Sequence, residues 1–130
     1  MFIKTALAAF AVLAATIVAA PQMAVAADVL KSGTIIGQAG HKAGGSVKIV
    51  KDGDITKVVL SSAFFLRGAP DPKLAWGQGG YKRGTIFTKL RKTKGAQEYV
   101  IPASTDLSKY TEFWIWCERY NVPLAMARLK

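Results

Sequence analysis

The sequence predicts an all-β fold, a compact two-sheet antiparallel sandwich. Three observations carry the prediction. Apolar and polar residues alternate over short runs, no stretch sustains a helical period, and glycine or proline punctuates the chain between runs. The stretch that organises the fold is Tyr110–Tyr120, which holds Trp114, Trp116 and the single cysteine, Cys117. Read as a strand, it places Phe113, Ile115 and Cys117 on one face and Trp114 and Trp116 on the other. With both faces apolar it reads as a central strand, and such a strand needs a second layer to cover it.

The elements follow in order. Met1–Lys4 is a short positive segment, Ala6–Ala20 an apolar run, and Pro21–Ala27 ends in small residues, the pattern of a secretory signal peptide cleaved after Ala26 or Ala27. An uncleaved membrane anchor is the competing reading, but the run is short for a span of roughly 20 residues. The expected organisation is therefore a signal peptide over 1–27 and one β-sandwich domain over 28–130, secreted, most simply into a bacterial periplasm. Val29–Gln38 contains a short apolar strand, and Gly40–Gly45, which includes His41, is loop-like. Ser46–Lys51 and Ile55–Leu60 form a hairpin around Asp52, Gly53 and Asp54, because glycine supplies the positive φ of a tight turn. Val47 and Ile49 share one face, as do Thr56, Val58 and Leu60. Phe64–Leu66 adds apolar mass, and the prolines of Gly68–Pro72 interrupt regular structure. Leu74–Trp76 reads as a short strand and Gly77–Tyr81 as a flexible loop that leaves Trp76 and Tyr81 exposed. Gly84–Leu90 and Gln97–Ile101 alternate as strands. Asp106–Tyr110 makes one helical turn capped by Ser104 or Thr105, and Val122–Leu129 is the last strand.

Composition narrows the function classes. The formal net charge is +10, with Lys4 contributing one of the positive charges. The basic residues concentrate at Lys82, Arg83, Lys89, Arg91, Lys92 and Lys94. A solvated face is the plain reading of that cluster. The functional one is attraction to an anionic partner: lipid headgroups, a cell-wall polymer or an acidic redox protein, in each case weakened by salt. An exported chain argues against nucleic acid. One cysteine cannot form an intramolecular disulfide, so an exported thiol is buried, bound, paired between chains or reactive. Cys and His together number two, too few for the four ligands of a closed zinc site. No G-x-S-x-G motif or paired carboxylates support hydrolysis.

The carboxy-terminal third is the most specific part of the chain. Gly95–Pro102 fits G-x-Q-x-Y-x-x-P, Asp106–Tyr110 fits a short D-L-S-x-Y link, Trp114–Cys117 is a W-x-W-C strand, and Asn121–Leu129 fits N-V-x-(F/L)-x-x-A-x-L. Together these segments resemble the DM-thirteen domain, described as a predicted electron-transfer domain and found beside DOMON modules in animal surface proteins of the Skeletor type. The Gly37–Ser46 opening with His41, the first hairpin and Pro70–Asp71 also fit. Leu124 and Ala125 replace the usual Phe-Gly pair, and the segment after Asp71 carries Pro72 and the glycine loop in place of a clean strand. The resemblance implies redox work centred on Cys117, as a free thiol or as the ligand of a prosthetic group such as haem.

On the residues alone, two readings of Cys117 stand side by side. A thiolate is the reactive and metal-binding form, and Arg119, on the same face in an undistorted strand, would stabilise one, with Glu118 facing away. Free cysteine is among the most buried residue types, and on the residues alone the small apolar core residue is the favoured reading. The resemblance favours the redox reading. His41 is the other candidate ligand, because cysteine and histidine both ligate haem iron, although a lone loop histidine also reads as an exposed residue. Trp114, Trp116, Tyr99 and Phe113 read as core before they read as an electron relay or a sugar platform. The expected function is an electron-transfer or binding domain rather than a stand-alone enzyme. The alternative is a non-catalytic sandwich that binds an anionic surface or partner and keeps Cys117 as a structural residue.

Overall fold

A computed structural model describes residues 11–19 and 27–130, so most of the expected signal peptide, including the Ala26 side of its cleavage site, lies outside the described residues. The chain forms β1 (Asp28–Thr34), β2 (Ile36–Gly37), β3 (Ala43–Gly44), β4 (Ser46–Asp52), β5 (Ile55–Leu60), β6 (Phe65–Leu66), β7 (Pro72–Gly77), β8 (Thr88–Lys89), β9 (Gln97–Val100), β10 (Glu112–Cys117) and β11 (Val122–Arg128). One 3-10 turn, Leu107–Lys109, is capped by Asp106 rather than by Ser104 or Thr105. All strand pairs are antiparallel: a four-stranded sheet ordered β1-β4-β5-β9 faces a five-stranded sheet ordered β2-β11-β10-β7-β8, with a small β3-β6 ribbon at one side. No helix of the described residues is long and apolar enough to cross a membrane.

β10 is the middle strand of the larger sheet, flanked by β7 and β11. Its alternation sends Phe113, Ile115 and Cys117 into the shared core, where all three are fully buried. The opposite sheet supplies Val47 and Ile49 from β4 and Val58 and Leu60 from β5. The hairpin pairs Asp52 with Ile55, which leaves Gly53 and Asp54 as the turn, with Gly53 at φ 61°. Ser32 and Lys130 exchange backbone hydrogen bonds at 3.0 Å, so β1 also ties the end of β11 to the smaller sheet.

Two sequence expectations need correction. Trp76 is 1% exposed. In β7 it faces the same side as Leu74, opposite Phe113, and its ring lies nearly parallel to Phe87 and Tyr110 at 5.3 and 6.1 Å. Period two carries it into the core, and the neighbouring glycine loop has no bearing on that. The expected strand over 84–90 shrinks to β8 because Thr85 intervenes. Its hydroxyl accepts the Trp76 N–H and donates to a backbone carbonyl, taking the place of a backbone pair in the ladder.

Gly45 shows how closely the ribbon packs on the core. Its φ is +90°, and a Cβ there would lie 2.6 Å from Phe64 backbone atoms. Gly45→Ala therefore combines a left-handed backbone with a clash that no rotamer relieves. It is expected to cost about 2–5 kcal/mol, read as a lowered denaturation midpoint at constant slope.

Candidate functional site

Cys117 ends β10, and the chain then turns through Glu118–Asn121 into β11. The thiol is fully buried, and its Sγ accepts a hydrogen bond from the Tyr120 backbone N–H at 3.4 Å. That turn is the cover over the sulfur. Asp71 fastens it from outside: its Oδ2 accepts the Arg119 N–H at 3.0 Å and its carbonyl the Glu118 N–H at 3.4 Å. Lys73 bridges Asp71 and Glu118 at 3.5 and 3.1 Å. The hydrogen bond to Glu118 holds the Lys73 ammonium above the ordinary lysine range, so the bridge persists into alkaline solution and is lost as pH rises through that raised value. On the outer face of β10, the Asn121 side-chain oxygen accepts the Trp116 Nε1–H at 3.1 Å. Both Asp71, at φ 48°, and Asn121, at φ 52°, adopt the left-handed conformation that short polar side chains tolerate.

Arg119 does not share the face of Cys117. Alternation ends where the strand ends, and Arg119 is exposed in the turn, held to Asp71 through its backbone. Asp71, Lys73 and Asn121 take the supporting role instead. The first lies in the Pro70-Asp71-Pro72 triplet, where each proline fixes its own φ while Asp71, at φ 48°, departs from the extended conformation usual before proline.

On the outer face of β10, Trp114 and Trp116 meet edge-on at 6.0 Å, and Tyr81 stacks on Trp116 at 3.9 Å. Burial raises the Tyr81 phenol above the ordinary tyrosine range. Trp114 is nearly buried beneath the Gly77–Gly80 loop, whose Gly80 N–H donates to the buried Glu112 carboxylate at 2.7 Å. These aromatics are covered by a loop, not by a further layer of strands.

The remaining candidate residues are dispersed. His41 is half-buried in the loop between β2 and β3, its N–H bonded to the Gln38 carbonyl, with Gly68 its neighbour. Lys82 and Arg83 lie in the turn after Tyr81, and Arg83 lines a groove with Tyr81 and Trp116. Arg91 is committed to the fold: its guanidinium sits 4.4 Å from the Tyr99 ring centroid and also donates to the Glu98 carbonyl. Lys92 is held through its backbone N–H to Gln97 Oε1, while Lys94 lines a separate hollow with Phe65 and Arg67. The Gln97 and Tyr99 of the sequence motif thus anchor the basic connection from within.

No group of three or more His, Cys, Asp or Glu among the described residues is placed to hold a metal ion. The surroundings of Cys117 do not fit haem either. A macrocycle needs an open face beside its ligand, whereas Sγ is sealed by the turn and lines none of the described grooves.

Comparison with known families decides the wider assignment. The family model described as "Electron transfer DM13" matches residues 35–129. The chain belongs to the DM13 family. No curated protein and no solved structure matches it. The match takes in every strand except β1, and includes His41, Asp71, Cys117 and the basic residues from Lys82 to Lys94.

Proposed function

We propose that this DM13 domain is exported and transfers electrons through Cys117 as a gated free thiol. The observation that carries the reading is the cover over the sulfur. A short turn, fastened to Asp71, Lys73 and Trp116 by polar contacts near the surface, separates Sγ from solvent. Such contacts open locally at a small fraction of the cost of global unfolding. Opening frees the thiol to react as a thiolate with a disulfide of a partner. A sulfur–sulfur bond then forms to Cys117, the partner's leaving sulfur departs as a thiolate, and a second thiol from outside resolves the mixed disulfide. The resolving sulfur must come from elsewhere, because Cys117 is the only cysteine. An exported location supplies the oxidising partners that this cycle uses. The test is exchange of Cys117 with a small aromatic disulfide in folded protein: mixed-disulfide formation should be detectable by mass and absent in Cys117→Ala.

The complete burial of Cys117 together with the basic charge favours a second reading, a non-catalytic module that binds an anionic envelope component or an acidic partner. Reversing Lys82, Arg83, Lys92 and Lys94 separates the two, with Arg91 left intact because it packs on Tyr99. Under the gated-thiol account the quadruple reversal leaves the alkylation rate of Cys117 in folded protein within about twofold of wild type. Under the second, sedimentation with anionic vesicles is the property lost.

A further inference from the structure

We propose that the outer face of the five-stranded sheet carries a binding site for a flat aromatic anion, separate from Cys117. A groove of about 860 Å³ runs across this face. Its floor is a row of three apolar side chains on adjacent strands: Ile36 of β2, Met126 of β11 and Trp114 of β10, joined by the pairings Met126–Ile36 and Trp114–Met126. Ile36 is 56% exposed although it sits in the sheet. Ile36 and the half-buried Met126 are the open part of the row, and apolar side chains left open on a sheet mark a surface that something else covers.

The two walls define the chemistry of the occupant. Arg128 and Lys130 line one side, and neither makes an ion pair or a side-chain hydrogen bond among the described residues. Glu112, the register partner of Arg128, also lines the groove, with its carboxylate occupied by the Gly80 N–H at 2.7 Å. Two basic side chains against one carboxylate leave the lining side chains net positive, which favours an anionic occupant. Guanidinium over an aromatic face and thioether against a ring edge are both favourable contacts, so Arg128 and Met126 suit a flat aromatic ligand better than an alkyl one.

Sugar is a poor fit. Trp114 is 9% exposed and the Trp116 ring is covered by Tyr81, so no free aromatic platform is on offer. The second wall is the loop of Gly79 and Gly80, both at positive φ. Under it the buried Trp114 Nε1–H has no hydrogen-bond partner.

The probe is anthraquinone-2-sulfonate, titrated calorimetrically into the full chain. The expected result is saturable one-to-one binding that weakens as salt rises. Ile36→Glu, at an exposed position, should weaken it by about tenfold or more, and Arg128→Ala should weaken it and flatten its salt dependence. Cys117→Ala should bind as wild type does, so this site stands or falls independently of the thiol. The proposal is overturned by absence of saturable binding, or by wild-type affinity in both groove variants with folded circular-dichroism spectra. Equal binding of decanesulfonate would overturn the aromatic assignment and give the groove to acyl amphiphiles.

Discussion

Replacing Cys117 with alanine is expected to abolish disulfide exchange while leaving a folded sandwich. The side chain is small and fully buried at the end of β10. Truncation removes one sulfur from the core and the Tyr120 N–H bond to it. The cost in stability should be about 1–2 kcal/mol, a modest share of the roughly 5–15 kcal/mol typical of a domain. Exchange, by contrast, has no other sulfur of cysteine to fall back on. Unfolding of Cys117→Ala at an unchanged slope, with no mixed disulfide by mass, is the expected pair of results. Loss of exchange accompanied by collapse of the fold would point to a structural cysteine. The companion variant, Asp71→Ala, acts on the fastening of the cover: the side-chain hydrogen bond to the Arg119 N–H and the ion pair with Lys73 disappear, while the backbone bond from Glu118 to the residue 71 carbonyl remains.

Trp76→Ala should be the most damaging change to the fold. The indole is enclosed by Phe87 and Tyr110 on nearly parallel planes and by Phe113 edge-on at 6.0 Å. Removing it leaves a large cavity between β7, β10 and the 84–90 connection, at a cost of about 3–5 kcal/mol. Its Nε1–H has no partner in that environment. Trp76→Phe gives up this unpaired donor and keeps most of the ring, so it should cost under about 2 kcal/mol. Urea denaturation of the two variants checks the ranking. Equal losses would mean that ring volume is not what Trp76 contributes.

The fold was legible wherever period two was strong. β4 and β5 could be read from alternation, β10 and its central place from apolar residues on both of its faces, and β11 as the strand after the Asn121 turn. The site was only partly legible. Cys117 stood out as the single cysteine, but its surroundings depend on residues far away in sequence. Arg119 was misplaced because alternation says nothing about where a strand stops. Asp71 and Lys73 reach the turn from 45 or more positions earlier in the chain, through β7 beside β10. Pairing of this kind is set by topology, which periodicity does not report. Trp76 was misjudged because a glycine-rich neighbour outweighed the strand's own pattern. The basic segment read as a surface feature, yet Arg91 is bound to Tyr99 and the other charges are spread over several loops.

The central claim is that Cys117 becomes reachable by opening of the Glu118–Asn121 turn while the sandwich stays folded. The measurement is the alkylation rate of Cys117 with iodoacetamide in wild type and Asp71→Ala, across low concentrations of urea. The account predicts a rate that is nearly independent of urea below the unfolding transition, and about tenfold faster in Asp71→Ala with little change in global stability. Alkylation that follows global unfolding at every urea concentration, equally in both proteins, would contradict it.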